Sequence, residues 1–318
     1  MKFSTKVPIR RYTNTIDYSS RILSIGSCFA ENIGAKFDYY KFKNNTNPFG
    51  IIFNPVSIEK LVARAINNIP FTEADVFYHN ERYHCYEVHS DRSHENKEAF
   101  LDNLNVILQL TNDQITKSTH IIITYGTSWV YQLKQSGAVV ANCHKVPQTE
   151  FDKVLLSVED IEQSIKNTIE LIQSLNPKCA LLFTISPVRH IKDGYVGNQT
   201  SKAHLITAIH KIINYQLSII NYFPSYEIMM DELRDYRYYT EDMLHPNKIA
   251  INYIWERFTE SMISSKSYET MEEVASIQKG LAHRPFNPDS ESHQEFLSGI
   301  KVKIEQLQEE FPFMWFNS

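Results

Sequence analysis

Apolar positions recur along this chain with two periods. Val158, Ile161, Ile165, Ile169 and Ile172 follow one another at three- and four-residue intervals, the spacing of one helix face. Ser157 and Asp160 have the spacing of a capping box at its start, and Pro177 predicts its end. Ile206, Ile209, Ile213, Leu217 and Ile220 predict another helix. The runs His120–Tyr125 and Cys179–Ile185 are short, continuous and rich in apolar residues, as strands buried on both faces are. Arg21–Ile25 predicts a first strand leading into a helix over Phe29–Phe37. Tyr39–Lys43 reads as a second strand, Ser57–Ile66 as a helix and Tyr226–Met230 as a fifth strand. Pro246 opens a last domain helix reaching Met262. This alternation predicts an α/β domain whose parallel sheet is flanked by helices.

Two stretches break the alternation. Residues 77–90 and 129–146 carry Tyr, Val and His in strand-like patterns, with a Ser136-Gly137 turn in the second. They predict β-rich excursions between the sheet strands. Beyond Ser265 the chain turns helical and charged, with Phe296, Ile300, Ile304 and Leu307 on one stripe. That divides it into a domain over 1–264 and a helical extension over 265–318. The stripe either folds back on its own domain or forms a homo-oligomer contact.

Composition adds exclusions. Of 318 residues, 42% are hydrophobic and 22% charged, and the net charge is −5. No strong positive field attracts nucleic acid or an anionic membrane. The basic residues near Met1 precede no apolar core of a signal peptide, and no run approaches the ~20 apolar residues of a membrane helix. Cys28, Cys85, Cys143 and Cys179 form no CxxC pair, so they read as free thiols in a reducing, cytoplasmic setting. His84, Cys85, His89, Cys143 and His144 lack the spacing of a zinc site, and neither a metal nor a cofactor is expected.

The chemistry centres on Ser27, in Gly26-Ser27-Cys28-Phe29-Ala30. A serine between strand and helix is a natural N-cap, yet the same turn lifts a hydroxyl above the carboxyl end of the sheet. Helix N–H groups there can hold an oxyanion. A hydroxyl also needs a base. Asp242-Met243-Leu244-His245-Pro246 supplies an imidazole with a carboxylate three residues away to orient it. Cys28 reads as a small residue packed inward, Ser201-Lys202 as a helix start with a surface lysine, and Arg189 and His190 as neighbours of the same crevice. For Arg189 an ion pair is the plainer reading and an anion contact the alternative.

A serine after the first strand with DxxH before the last domain helix resembles the SGNH hydrolase superfamily. Gly26-Ser27-Cys28-Phe29-Ala30 resembles the signature of its GSCFA family. Asn47-Pro48-Phe49-Gly50, Gly126-Thr127-Ser128-Trp129, Asn142-Cys143-His144-Lys145 and Ser186-Pro187-Val188-Arg189 support the likeness, which spans residues 5–260. Phe223-Pro224-Ser225-Tyr226-Glu227 is a weaker match. The resemblance implies a flavodoxin-like three-layer α/β/α sandwich. It implies Ser27 as nucleophile, His245 as base and Asp242 as its orienting acid, in a serine hydrolase cleaving a carboxylic ester on a small molecule or acylated saccharide. An acyltransferase using the same triad and a non-catalytic binding module are the alternatives. The superfamily's oxyanion donors map to the Ser27 N–H, the Gly50 N–H and, where an asparagine is usual, the hydroxyl of Thr127 or Ser128. Asn142, His144 and His89 are expected to contact substrate, with structural roles as the alternative.

Overall fold

The computed structural model describes residues 5–213 and 219–316. Strand β1 (Arg21–Gly26) enters helix α1 (Cys28–Tyr39), followed by β2 (Lys43–Thr46) and α2 (Pro55–Ile66). A hairpin of β3 (Phe77–His79) and β4 (Arg82–His84) precedes α3 (Lys97–Lys117) and β5 (His120–Tyr125). A small antiparallel sheet of β6 (Trp129–Leu133), β7 (Val139–Val140) and β8 (Phe151–Leu155) leads to α4 (Val158–Leu175) and β9 (Ala180–Ile185). Then come α5 (Tyr195–Ile213), β10 (Ile220–Phe223), the single turn α6 (Ser225–Glu227) and α7 (Lys248–Met262). Helices α8 (Tyr268–Leu281) and α9 (Glu291–Glu310) close the chain.

The central sheet is parallel throughout, in the order β10-β9-β5-β1-β2. Counting its five strands alone, this is the doubly wound order 2-1-3-4-5 read from the far edge, whose switch point lies between β1 and β5. Alternate side chains leave opposite faces of a strand. Leu23, Ile25, Ile121, Ile123, Leu181 and Phe183 accordingly join one core with α2 to α5. Ile22, Ile122 and Leu182 join a second with α1 and α7 to α9. The result is the expected three-layer α/β/α sandwich with a helical C-terminal extension. Ile300 and Leu307 are buried in the second core, while Phe296 stays 44% exposed. The stripe on α9 therefore packs on its own chain through these two residues and the partly buried Ile304. No described helix is long and apolar enough to cross a membrane.

Three elements differ from the sequence expectation. Helix α1 continues to Tyr39 and the chain reverses at Lys41 (φ 61°), so the second strand starts at Lys43. Phe42, expected in that strand, stacks on Tyr18 at 4.4 Å instead. The fifth strand is Ile220–Phe223, and the apolar run Tyr226–Met230 is wound into α6 and a π-helical turn, Ile228–Glu232. Pro224 stands between them, and Ile228 and Met229 bury against the α7 layer. Helix α5 begins at Tyr195, which puts Ser201 and Lys202 inside it. The expected continuation of that helix at Leu217 lies outside the described residues, and Ile220, expected on the same helical stripe, begins β10 instead.

Candidate active site

The turn from β1 into α1 is built around Gly26. Its φ is +147°, and a Cβ there would lie 2.1 Å from the Thr124 carbonyl oxygen. Only glycine adopts this conformation so close to β5. The Gly26 N–H donates to Oδ1 of Asn47 (2.8 Å), which ties the turn to the end of β2. Ser27 follows, fully buried, with its N–H on the Thr124 carbonyl (3.0 Å) and its Oγ accepting from the Phe29 N–H (3.3 Å). It is thus a helix N-cap in this conformation. Its own N–H, expected to hold an oxyanion, is committed to β5. Among the described residues, the Cys28 N–H that begins α1 has no carbonyl or hydroxyl acceptor on another residue.

The segment before α7 carries the base. Met243 has φ 58°, and this left-handed residue folds Asp242 and His245 together. His245 Nδ1 lies 2.6 Å from Asp242 Oδ2. The other carboxylate oxygen accepts from the Thr240 hydroxyl (2.6 Å) and from the N–H groups of Leu244 (2.8 Å) and His245 (3.0 Å). The Thr240 hydroxyl first, then these N–H groups and the imidazole, hold the Asp242 carboxyl below the ordinary carboxylate range. With Nδ1 bonded to the carboxylate, Nε2 is the basic nitrogen. It has no hydrogen-bond partner among the described residues. Nothing bonds it to Ser27.

His245 opens onto a cavity of about 510 Å³ at the switch point between β1 and β5. Cys28, Phe53, Asn54, Thr127, Trp129, Tyr131, Arg189 and His190 are among the residues that line it. Ser27 lies beneath this lining; a Cβ placed on Gly126 would come within 3.3 Å of the Ser27 Cβ. Cys28 faces the cavity, contrary to the expectation that it packs inward. Burial and the nearby Glu31 raise its thiol pKa, a shift only partly opposed by Lys202. A larger groove, about 660 Å³, lies between residues 7–13 and β10, lined by neither Ser27 nor His245. Among the described residues, no three His, Cys, Asp or Glu side chains converge as metal ligands do.

A model described as the GSCFA family matches residues 21–258, most of the chain. The chain belongs to the GSCFA family. A second model, the C-terminal domain of GSCFA domain proteins, matches residues 274–318, which hold α9 and most of α8. No curated protein matches the chain in sequence.

In this GSCFA chain the expected oxyanion donors are largely engaged elsewhere. The Gly50 N–H donates to the Asn47 carbonyl (2.8 Å), closing a turn. Ser128 is buried, with its hydroxyl on the Ser201 carbonyl (3.1 Å). Thr127 Oγ1 sits 2.9 Å from Ser201 Oγ and accepts from the Trp129 N–H (3.0 Å), yet its residue lines the cavity. Asn142 lines the cavity too. His144 does not. Its Nε2 lies on the Cys85 carbonyl (2.8 Å), its ring packs 4.7 Å from His84, and burial pushes it down to about 4. It lines a separate 290 Å³ cavity with Asn80, Arg82 and Lys145. His89 pairs with Asp91 (3.1 Å) and does not line the His245 cavity.

Three features escaped the sequence reading. Asn54 caps α2 through Oδ1, accepting from the Ser57 N–H (2.9 Å), while its Nδ2 has no acceptor among the described residues and its residue lines the cavity. Asn-Pro before an apolar helix is an ordinary start signal, which gives no hint that the residue also lines a cavity. Arg189 forms no ion pair among the described residues. Its guanidinium lies 5.6–5.7 Å from the ring centroids of Tyr195, Tyr236 and Tyr239 and donates to the Met243 carbonyl (3.1 Å). Lys202 was expected on the surface and is 1% exposed, beneath the cavity.

Proposed function

We propose that this protein is a serine hydrolase of the SGNH type, cleaving carboxylic esters through Ser27, His245 and Asp242. One observation carries the reading: the His245–Asp242 pair opens onto a cavity above the turn that bears Ser27, at the sheet's switch point. The Ser27 hydroxyl turns from its cap position toward the cavity, and Nε2 of His245 takes its proton as Oγ bonds to the carbonyl carbon. The Cys28 N–H and Asn54 Nδ2 hold the oxyanion, the Thr127 hydroxyl being a third donor within reach. Collapse of the adduct breaks the C–O bond, and the leaving alcohol takes the proton from His245. Water then adds to the acyl group, His245 again serving as base, and free Ser27 and the acid are released.

Trp129 and Tyr131 in the cavity lining suit the face of a sugar ring, which supports an acylated carbohydrate as substrate. The four free thiols fit a reducing, cytoplasmic setting. The test is a panel of acyl esters and acetylated saccharides, with and without acceptor alcohols. Wild type releases the acid, and Ser27→Ala and His245→Gln fall to background. Transfer to the acceptor in preference to water assigns an acyltransferase. Turnover that survives Ser27→Ala, or none on any ester, contradicts the proposal.

A further inference from the structure

Lys202 is a lysine held in the interior. It sits mid-way along α5 and is 1% exposed. Its Nζ donates to the carbonyls of Gly126 (2.6 Å) and Ser186 (2.7 Å) and lies over the Tyr226 ring, 5.5 Å from the centroid. No carboxylate pairs with it among the described residues. Buried lysines are rare without such a partner, because desolvation opposes the charge.

The two carbonyls explain its place. Gly126 follows the last residue of β5 and packs against Ser27; Ser186 follows the last residue of β9. The ammonium therefore bridges adjacent strand ends directly below the cavity. The titratable groups facing it are Cys28 from α1, His190 from the loop after β9, and Tyr226 after β10. Burial first, then the charges of Lys202 and His245, push His190 down to about 3, so it is neutral.

We propose that Lys202 is a positioning residue of the Ser27 site, whose ammonium joins the Gly126 and Ser186 carbonyls beneath the serine and offsets the negative charge that develops when Ser27 attacks. The proposal rests on the Ser27 hydrolase reading. Burial pushes Lys202 down to about 7. A neutral amine still has two N–H groups for the two carbonyls, so deprotonation removes the charge and leaves the bridge.

The test is the rate at which a fluorophosphonate labels Ser27, followed from about pH 5 to about pH 10. Wild-type labelling declines above about 7. Lys202→Met labels about tenfold or more slowly at neutral pH and has no declining limb. Lys202→Arg keeps its charge and loses the decline. A second measurement covers variants that fail to fold: ¹³Cε resonances of the lysines are titrated in the wild type. Coincidence of one buried lysine's midpoint with the midpoint of the decline supports the role. A Lys202→Met profile matching wild type, or separate midpoints, overturns it while leaving the Ser27 reading intact. Absence of Ser27 labelling in wild type overturns both.

Discussion

At the scale of single residues, the site is made of groups with two uses. Asn54 shows this most simply: its Oδ1 caps α2, its Nδ2 has no acceptor among the described residues, and the residue lines the cavity. The two are separable. Asn54→Asp keeps an oxygen for the Ser57 N–H and removes the donor, so labelling of Ser27 falls about 10²-fold with little change in melting temperature. Asn54→Ala loses the cap as well, about 1 kcal/mol of stability. Lys202 gives a second prediction, on stability. Its folded-state value of about 7 lies below the 10.5 of an ordinary lysine, so between these pH values the unfolded chain binds more protons. Stability attributable to Lys202 therefore rises with pH across that window. Chemical denaturation of wild type and Lys202→Met checks this: the difference in unfolding free energy changes in that direction from about pH 7 to about pH 10. Such roles are nearly invisible in a hydropathy pattern. Lys202 and Ser201 are polar residues on the buried face of α5, and polarity reads as exposure until the neighbours are known.

At the scale of elements, legibility followed burial. β5 and β9 are buried along their whole length, which leaves continuous apolar runs, and the capping box of α4 forms as its spacing predicts. β10 was displaced because Ile220-Asn221-Tyr222-Phe223 mixes polar and aromatic residues, whereas the turn that follows it is the more apolar run. Helix α3 is hard to see in the sequence, although Phe100, Leu104, Leu108 and Ile115 stand at helical intervals, because exposed Val106 and Leu110 blur that stripe. The turn between β1 and α1 tolerates least. Gly26→Ala places a methyl group on the Thr124 carbonyl in a left-handed conformation, which destabilises by about 3 kcal/mol or more. A urea titration measures it, and a midpoint equal to wild type contradicts the strained-turn account.

At the scale of the whole molecule, two cores meet across one sheet, and the C-terminal helices complete the second. Leu307, 4% exposed, packs in the core that holds Phe37 and Phe258. Leu307→Ala is expected to lower stability by about 2–4 kcal/mol and to leave the pH profile of Ser27 labelling unchanged, since α9 lies away from the cavity. Acid weakens the fold through two imidazoles, one buried and one half-buried. His144 and His190 titrate near 4 and near 3 when folded, against 6.5 for an ordinary histidine. Below pH 6.5 the unfolded chain binds the protons first, so stability falls as pH drops toward those values. His144→Phe reduces that dependence in acid denaturation.

Ser27 caps α1 while Cys28 faces the cavity, so the identity of the nucleophile decides the chemistry. The most direct measurement is peptide mapping of the adduct formed with a fluorophosphonate at neutral pH. The prediction is one phosphonyl group on Ser27, absent in Ser27→Ala, slowed in His245→Gln and retained in Cys28→Ala. An adduct on Cys28, or none that depends on Ser27 and His245, contradicts it.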